Sequence, residues 1–209
     1  MQSNQSQLSP EEINEKLVNK LLIIFALIND WLKYAEAKNA LIIAFCGASI
    51  TAIITYLSAV NTIIVSIELS MKLSLVFFGF SSVFAIISFL PKTDSDTYFW
   101  KLFHKSKNMI PDTSKDSFYF FGHLRKYVEL KNKQPNPDKL LDAITQYYLH
   151  QNPISYTKEA RDICIQIINN SDITLQKFIL SAWSVRFALC AIAITPVCMV
   201  ISLILYHHL

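Results

Sequence analysis

The sequence predicts an all-α integral membrane protein with three transmembrane helices and a helical cytoplasmic segment between the second and the third. The first observation is composition: the 209 residues are 52% hydrophobic and only 17% charged, with a mean hydropathy of +0.32. A soluble domain of this size carries about a quarter charged residues. The second observation is segment length, because three apolar runs approach the roughly 20 residues that a helix needs to cross the hydrocarbon core.

These three runs set the predicted boundaries. They cover residues 40–60, 73–90 and 187–205, and none of them contains a charged residue. The chain is therefore expected to comprise an N-terminal cytoplasmic helix continuous with the first span (1–39), a transmembrane hairpin (40–91), a cytoplasmic helical segment (92–180) and a C-terminal transmembrane helix (181–209).

Local signals predict where the helices begin and end. Ser9 is an N-cap residue, Pro10 occupies the first helical position, and Glu12 follows three residues after the cap. No Pro or Gly interrupts residues 11–46, which predicts one continuous helix that enters the membrane near residue 40. Helical spacing of apolar residues in the middle segment predicts helices over 115–133 and 138–150 and a long helix that starts near 155 and continues into the third span.

The placement of basic residues predicts the orientation. Thirteen of the 19 Lys and Arg residues lie in the segment 92–180, four precede the first span, and none lies in 61–71. Because cytoplasmic loops are enriched in Lys and Arg, we expect a cytoplasmic N-terminus and middle segment, with the C-terminus outside. The N-terminal segment lacks the basic region and cleavage site of a signal peptide, so no processing is expected.

The common motifs of enzymes are missing from the sequence. It contains no GxxxxGK[ST], GxGxxG, HExxH or GxSxG pattern, and its four Cys residues show no CxxC spacing. The sequence therefore predicts no enzymatic activity, no metal, no cofactor and no nucleic-acid partner.

Two stretches carry candidate ligand-binding residues. In the first, Asp30, Tyr34 and Lys38 recur every four residues and share a helix face. This face is interpreted either as a juxtamembrane surface with internal ion pairs, from which Lys38 snorkels, or as one wall of a ligand pocket.

The second stretch is "FYFFGHLRKY", residues 118–127, in which His123, Arg125 and Lys126 accompany several aromatic residues. Cations beside aromatic rings suit an anionic ligand that carries a base, since the cation attracts the phosphate and the ring stacks on the base. The alternative is a set of core aromatics with a solvated basic edge.

Small and hydroxyl side chains recur in the first two spans. Small residues such as Gly47 and Ala48 allow close approach of another helix. The hydroxyl side chains either line a pore between several chains or form interhelical hydrogen bonds; they are Ser49, Thr51, Thr55, Ser58, Ser81, Ser82 and Ser88.

The order of these features resembles the Pycsar transmembrane effector family of bacterial anti-phage proteins. The likeness rests on "DWLKYAEAKNALIIAFCGASI", a second span ending in "FLPK", "FYFFGHLRKY", and "ARDICIQIINNSDITLQKFILSAWSVRFAL" leading into the last span. It extends over nearly the whole chain from about Leu21.

The resemblance implies a function in defence. It implies that a pyrimidine nucleotide cyclase is the functional partner, that cyclic UMP or cyclic CMP is the activating ligand, and that the effector, as a homo-oligomer, impairs the bacterial inner membrane. No cyclic-nucleotide-binding β-roll is recognisable, so recognition would fall to helices. The alternative function is a non-enzymatic membrane anchor or scaffold subunit that docks a cytoplasmic partner.

Overall fold

The computed structural model describes residues 9–60, 64–90, 110–112, 114–128 and 134–207. In chain order, its helical elements are α1 (Pro10–Ala59), α2 (Val65–Ile87), α3 (Phe121–Leu124), a 3-10 turn (Arg125–Tyr127), α4 (Pro137–Tyr148) and α5 (Lys158–His207). Over the described residues, β pairing is limited to one isolated bridge between Val128 and Pro135. The helices α1, α2 and α5 are long and apolar enough to cross a membrane. The predicted fold class is confirmed.

The helix starts follow the sequence signals. The Ser9 N–H donates to the Glu12 carboxylate at 2.8 Å, and the Glu12 N–H donates to the Ser9 hydroxyl at 3.3 Å, which is a reciprocal capping box. At α4, the Asn136 side chain accepts the Lys139 N–H at 3.1 Å, and Pro137 follows the cap. The predicted continuous helix through residue 46 is observed as α1, and α5 is likewise uninterrupted from Lys158.

The predicted helix over 115–133 is wrong. Residues 114–120 are not helical, α3 and the 3-10 turn are short, and 129–133 lie outside the described residues. The reason is local: the Asp112 carboxylate accepts both the N–H and the hydroxyl of Ser114, at 3.1 and 2.6 Å. Such side-chain bonds offer the backbone an alternative to helical hydrogen bonds, so apolar spacing alone does not make this segment a helix.

The chain divides into two compact units. The first comprises Met1–Lys33 and Lys92–Leu175. Within it, α1 and α5 are joined by a hydrogen bond from the Asn170 amide to the Asn29 side-chain oxygen at 2.8 Å. Its fully buried aliphatic residues come from α1, α3, α4 and α5 and are Leu17, Leu21, Ile24, Ile28, Leu124, Leu140, Leu141, Ile144, Ile167 and Ile168. The four predicted segments are divided at the expected membrane boundaries, whereas the two units are compact parts of the fold. The predicted segment boundaries therefore stay predictions.

The second unit comprises Tyr34–Pro91 and Gln176–Leu209 and contains the apolar stretches of α1, α2 and α5. Along α2, Ser74 bonds Ala191 and Ser81 bonds Ser184 of α5. Because successive α2 positions meet earlier α5 positions, these two helices are antiparallel. The same reasoning applies to α1: its Asn39 bonds Ser88, directly after α2, and its Cys46 bonds Ser81 of α2. Within this unit, α1 and α5 therefore run parallel.

The hydroxyl groups of the spans form hydrogen bonds of two kinds. Ser81 and Ser88 are buried and bond neighbouring helices, which is the interhelical role. Ser82, Thr51 and Ser58 donate instead to the carbonyl four residues earlier in their own helices. These intrahelical bonds satisfy a hydroxyl without a second helix.

Candidate functional site

A buried carboxylate organises the basic stretch of the first unit. The Asp116 carboxylate accepts a hydrogen bond from Lys126 Nζ at 2.7 Å, and its other oxygen accepts the Asp112 N–H at 3.0 Å. The exposed fractions of the two side chains are only 4% for Asp116 and 13% for Lys126. Because the ion pair is buried, solvent screens it little, and Lys126 stays paired with Asp116.

His123 faces the same carboxylate. Its Nδ1 accepts the Ser117 N–H at 2.9 Å, which leaves the proton of the neutral ring on Nε2. Nε2 lies 3.8 Å from Asp116 Oδ1, and the Phe120 and His123 rings form an edge-to-face pair with centroids 5.1 Å apart.

Arg125 points to a different carboxylate. Its Nε lies 2.7 Å from the Asp172 carboxylate of α5, and the exposed fractions of the two side chains are 27% and 13%. The bond ties the 3-10 turn to α5 within the first unit. The structure therefore brings His123 and Lys126 together at one carboxylate and directs their neighbour Arg125 to another.

The three candidates on α1 divide between the units. Asp30 lies in the first unit, where it is exposed and its carboxylate is 3.5 Å from Lys33 Nζ. Tyr34 and Lys38 lie in the second unit; Tyr34 is 57% exposed, with its ring centroid 6.1 Å from that of Phe178. Lys38 is half-buried. Their roles in ligand binding stay predictions.

A second cationic cluster in the first unit could not be foreseen from the sequence. The rings of Tyr119 and Tyr148 stack with centroids 5.7 Å apart and an interplanar angle of 25°. Lys20 Nζ lies over both rings, 5.2 Å from the Tyr119 centroid and 5.1 Å from the Tyr148 centroid. The three residues are distant in sequence, and no spacing rule connects them.

Two further tyrosines are buried in the first unit. The Tyr156 hydroxyl donates to the Asp142 carboxylate at 2.6 Å, and burial, together with this bond, raises the pKa of Tyr156 to about 12. Burial also raises the pKa of Tyr127, whose hydroxyl has no hydrogen-bond partner among the described residues. Both side chains are neutral at physiological pH. As for metal ligands, no group of three or more His, Cys, Asp or Glu residues within the described ranges is arranged to hold an ion.

Comparison with known proteins identifies the family. The family model of the Pycsar effector protein domain matches residues 20–206, which covers most of both units. Comparison with curated proteins and with solved structures gives no match. The family implies a cyclic pyrimidine signalling system with a cyclase as functional partner. The chain belongs to the Pycsar effector family and is a multi-pass membrane effector of anti-phage defence.

Proposed function

We propose that this effector binds a cyclic pyrimidine mononucleotide, cyclic UMP or cyclic CMP, through its first unit and then impairs the bacterial inner membrane. The observation that carries the proposal is the family match over residues 20–206, which includes a polar helical unit as well as three apolar helices. A simple membrane anchor needs the apolar helices only, whereas a sensor also needs a folded unit that can bind a ligand; a scaffold that docks a partner is separated from a sensor by the nucleotide test below.

The role of the first unit is binding and not catalysis. Its buried carboxylates Asp116 and Asp172 each contact a basic side chain at 2.7 Å. A general base must lie within hydrogen-bond reach of the proton that it abstracts, and both of these carboxylates are already occupied by basic side chains of the same chain. This arrangement supports a signal receptor without enzymatic activity.

The proposed orientation places the N-terminus and the segment 92–180 in the cytoplasm and the C-terminus outside. The distribution of Lys and Arg supports it. The parallel direction of α1 and α5 in the second unit supports the placement of the N-terminus and the segment 92–180 on one side, because parallel spans begin on the same side of the membrane. A C-terminal alkaline phosphatase fusion should be active and a C-terminal GFP fusion dark; the reverse result would invert the orientation.

Assembly of several chains would use the exposed face of α1. Small residues recur there and are exposed, namely Ala40, Ala44, Gly47, Ala48, Ala52 and Ala59. A Cβ added at Gly47 would meet nothing within 4 Å. Helices in lipid associate through small residues that allow close backbone approach. The exposed Thr51, Thr55 and Ser58 belong to the same helix and would supply polar groups to a pore between chains.

The direct test of sensing is thermal stabilisation of the detergent-solubilised protein. Cyclic UMP or cyclic CMP should raise the melting temperature, because a ligand that binds only the folded state stabilises it by mass action. Cyclic AMP is the control. If neither pyrimidine nucleotide shifts the melting temperature at millimolar concentration, direct sensing is wrong, and the anchor or scaffold function becomes the better interpretation.

The test of assembly is Gly47→Leu, with Gly79→Leu of α2 as the matched control. Both glycines lie in apolar helices, and a Cβ added at either one would meet open space, so neither change should disturb the single chain. Gly79 lies beside the large exposed residues Val76, Phe80 and Val83. We expect only Gly47→Leu to abolish nucleotide-dependent oligomers and dye leakage in liposomes. Equal loss, or no loss, in the two variants would exclude this face.

A further inference from the structure

The cluster of Lys20, Tyr119 and Tyr148 combines a cation with an aromatic surface. The two rings stack with centroids 5.7 Å apart, and the Lys20 ammonium lies within 5.2 Å of both centroids. All three residues belong to the first unit, and all are half-buried. They come from α1, from the segment before α3 and from the end of α4, so the fold alone brings them together.

The cations of the first unit differ in what holds them. Lys126 and Arg125 lie 2.7 Å from buried carboxylates, and an anionic ligand would have to displace those carboxylates. Within the described ranges, Lys20 has no carboxylate at ion-pairing distance and rests on ring faces. A partly exposed cation–π contact is weaker than a buried ion pair. Lys20 therefore turns toward an incoming anion more readily than Lys126 or Arg125 does.

We propose that Lys20, Tyr119 and Tyr148 contact the nucleotide directly. The ammonium of Lys20 binds the cyclic phosphodiester, which carries a single negative charge, and the tyrosine rings stack on the pyrimidine. A lysine recognises phosphate as a point charge, and aromatic rings accept any base through its flat face. This assignment rests on the proposed sensing function. Tyr119 lies in the same stretch of sequence as the predicted residues His123, Arg125 and Lys126, but the assignment does not use the side chains of those three residues.

The test measures the dissociation constants of cyclic UMP and cyclic CMP for the full-length protein in detergent. Lys20→Met keeps the apolar stem and removes the charge, and Tyr148→Leu removes the ring. We expect each to weaken binding by about tenfold or more. Tyr148→Phe keeps the ring and should bind within about threefold of the wild type, because stacking does not need the hydroxyl.

Lys16→Met is the matched control for charge, because Lys16 lies one turn earlier on the same helix and is exposed. It should bind like the wild type. The melting temperature without ligand identifies any variant that has lost its fold, and Tyr148→Phe and Lys20→Met preserve most of the packing.

The outcomes separate this assignment from the proposed function. If the wild type binds and Lys20→Met binds equally well, the assignment is wrong while direct sensing stands. If Lys16→Met weakens binding as much as Lys20→Met, the effect is one of net charge, and the assignment is again wrong. If the wild type binds neither nucleotide, both proposals fail.

Discussion

The buried ion pair between Lys126 and Asp116 gives the sharpest test of the first unit. Lys126→Met preserves much of the side-chain volume and leaves the Asp116 carboxylate without its cation. Removal of one partner of a buried pair costs about 3–5 kcal/mol. Asp116 is only 4% exposed but keeps the Asp112 N–H at 3.0 Å, so we expect a loss near the lower limit, about 3 kcal/mol. For a cooperative unit of about 100 residues, that loss lowers the melting temperature by more than about 10 °C.

The control is the neighbouring pair between Lys115 and Asp112. Its atoms are 3.9 Å apart, and the exposed fraction of the Lys115 side chain is 84%, so Lys115→Met should cost less than about 1 kcal/mol. The double variant Lys126→Met, Asp116→Leu should recover much of the loss, because apolar residues replace a buried pair at little cost. The measurement is a thermal scan of the purified protein in one detergent. Equal melting temperatures for Lys126→Met and Lys115→Met would refute the reasoning.

Three further predictions concern the spans, a helix end and pH. Ser81→Ala removes a hydrogen bond to the Ser184 carbonyl at 2.8 Å and should cost about 0.6–1.7 kcal/mol in a detergent–denaturant titration. Ser82→Ala should cost almost nothing, and equal costs would contradict the interhelical role. His150, after α4, has a φ of 53°, a backbone conformation that glycine adopts with less strain. His150→Gly should therefore stabilise the protein by about 0.5–1 kcal/mol in a thermal scan. If His150→Gly gains no more stability than His150→Ala, the backbone at this position is not strained. The pKa of Tyr156 is raised to about 12 from 10.0, so its contribution to the free energy of unfolding is complete below pH 10 and is lost as pH rises to 12. Between pH 10 and pH 12, the melting temperature of Tyr156→Phe should fall less than that of the wild type. If both fall equally, ionisation of Tyr156 is not the cause of the loss.

The sequence was sufficient to predict the elements whose structure depends on local chemistry and solvent. The three apolar helices follow from charge-free runs, and the start of α1 follows from Ser9 and Glu12, because the bilayer and the helix terminus act on single segments. The partners of the basic residues could not be predicted in this way. Arg125 and Lys126 are adjacent in sequence, yet they contact Asp172 and Asp116. The tertiary arrangement of the segment before α3, the 3-10 turn and α5 decides which carboxylate each cation contacts.

The hydroxyl groups of the spans show which surface remains for assembly. Ser81 and Ser88 bond other helices of the same chain, and a pore built from them would have to break those bonds. Thr51 and Ser58 on the exposed face of α1 donate to their own helix at 2.9 and 2.8 Å. A hydroxyl satisfied in this way tolerates lipid, water or a second helix, so this face can change its neighbour without losing a hydrogen bond.

A ligand drives such a change only through its preference for one state. To convert a population that is 1% assembled into one that is 99% assembled requires about 5.5 kcal/mol of differential affinity. One charge-assisted hydrogen bond contributes about 1.5–3 kcal/mol, and one stacked base about 1–3 kcal/mol. The proposed contacts of Lys20 and Tyr148 therefore approach the requirement only when they form fully in the assembled state and weakly in the single chain. If the nucleotide acts through these contacts, Lys20→Met must lower the extent of assembly at saturating nucleotide as well as the affinity. A variant that only shifts the concentration required, with full assembly at saturation, would show that the contact is the same in both states.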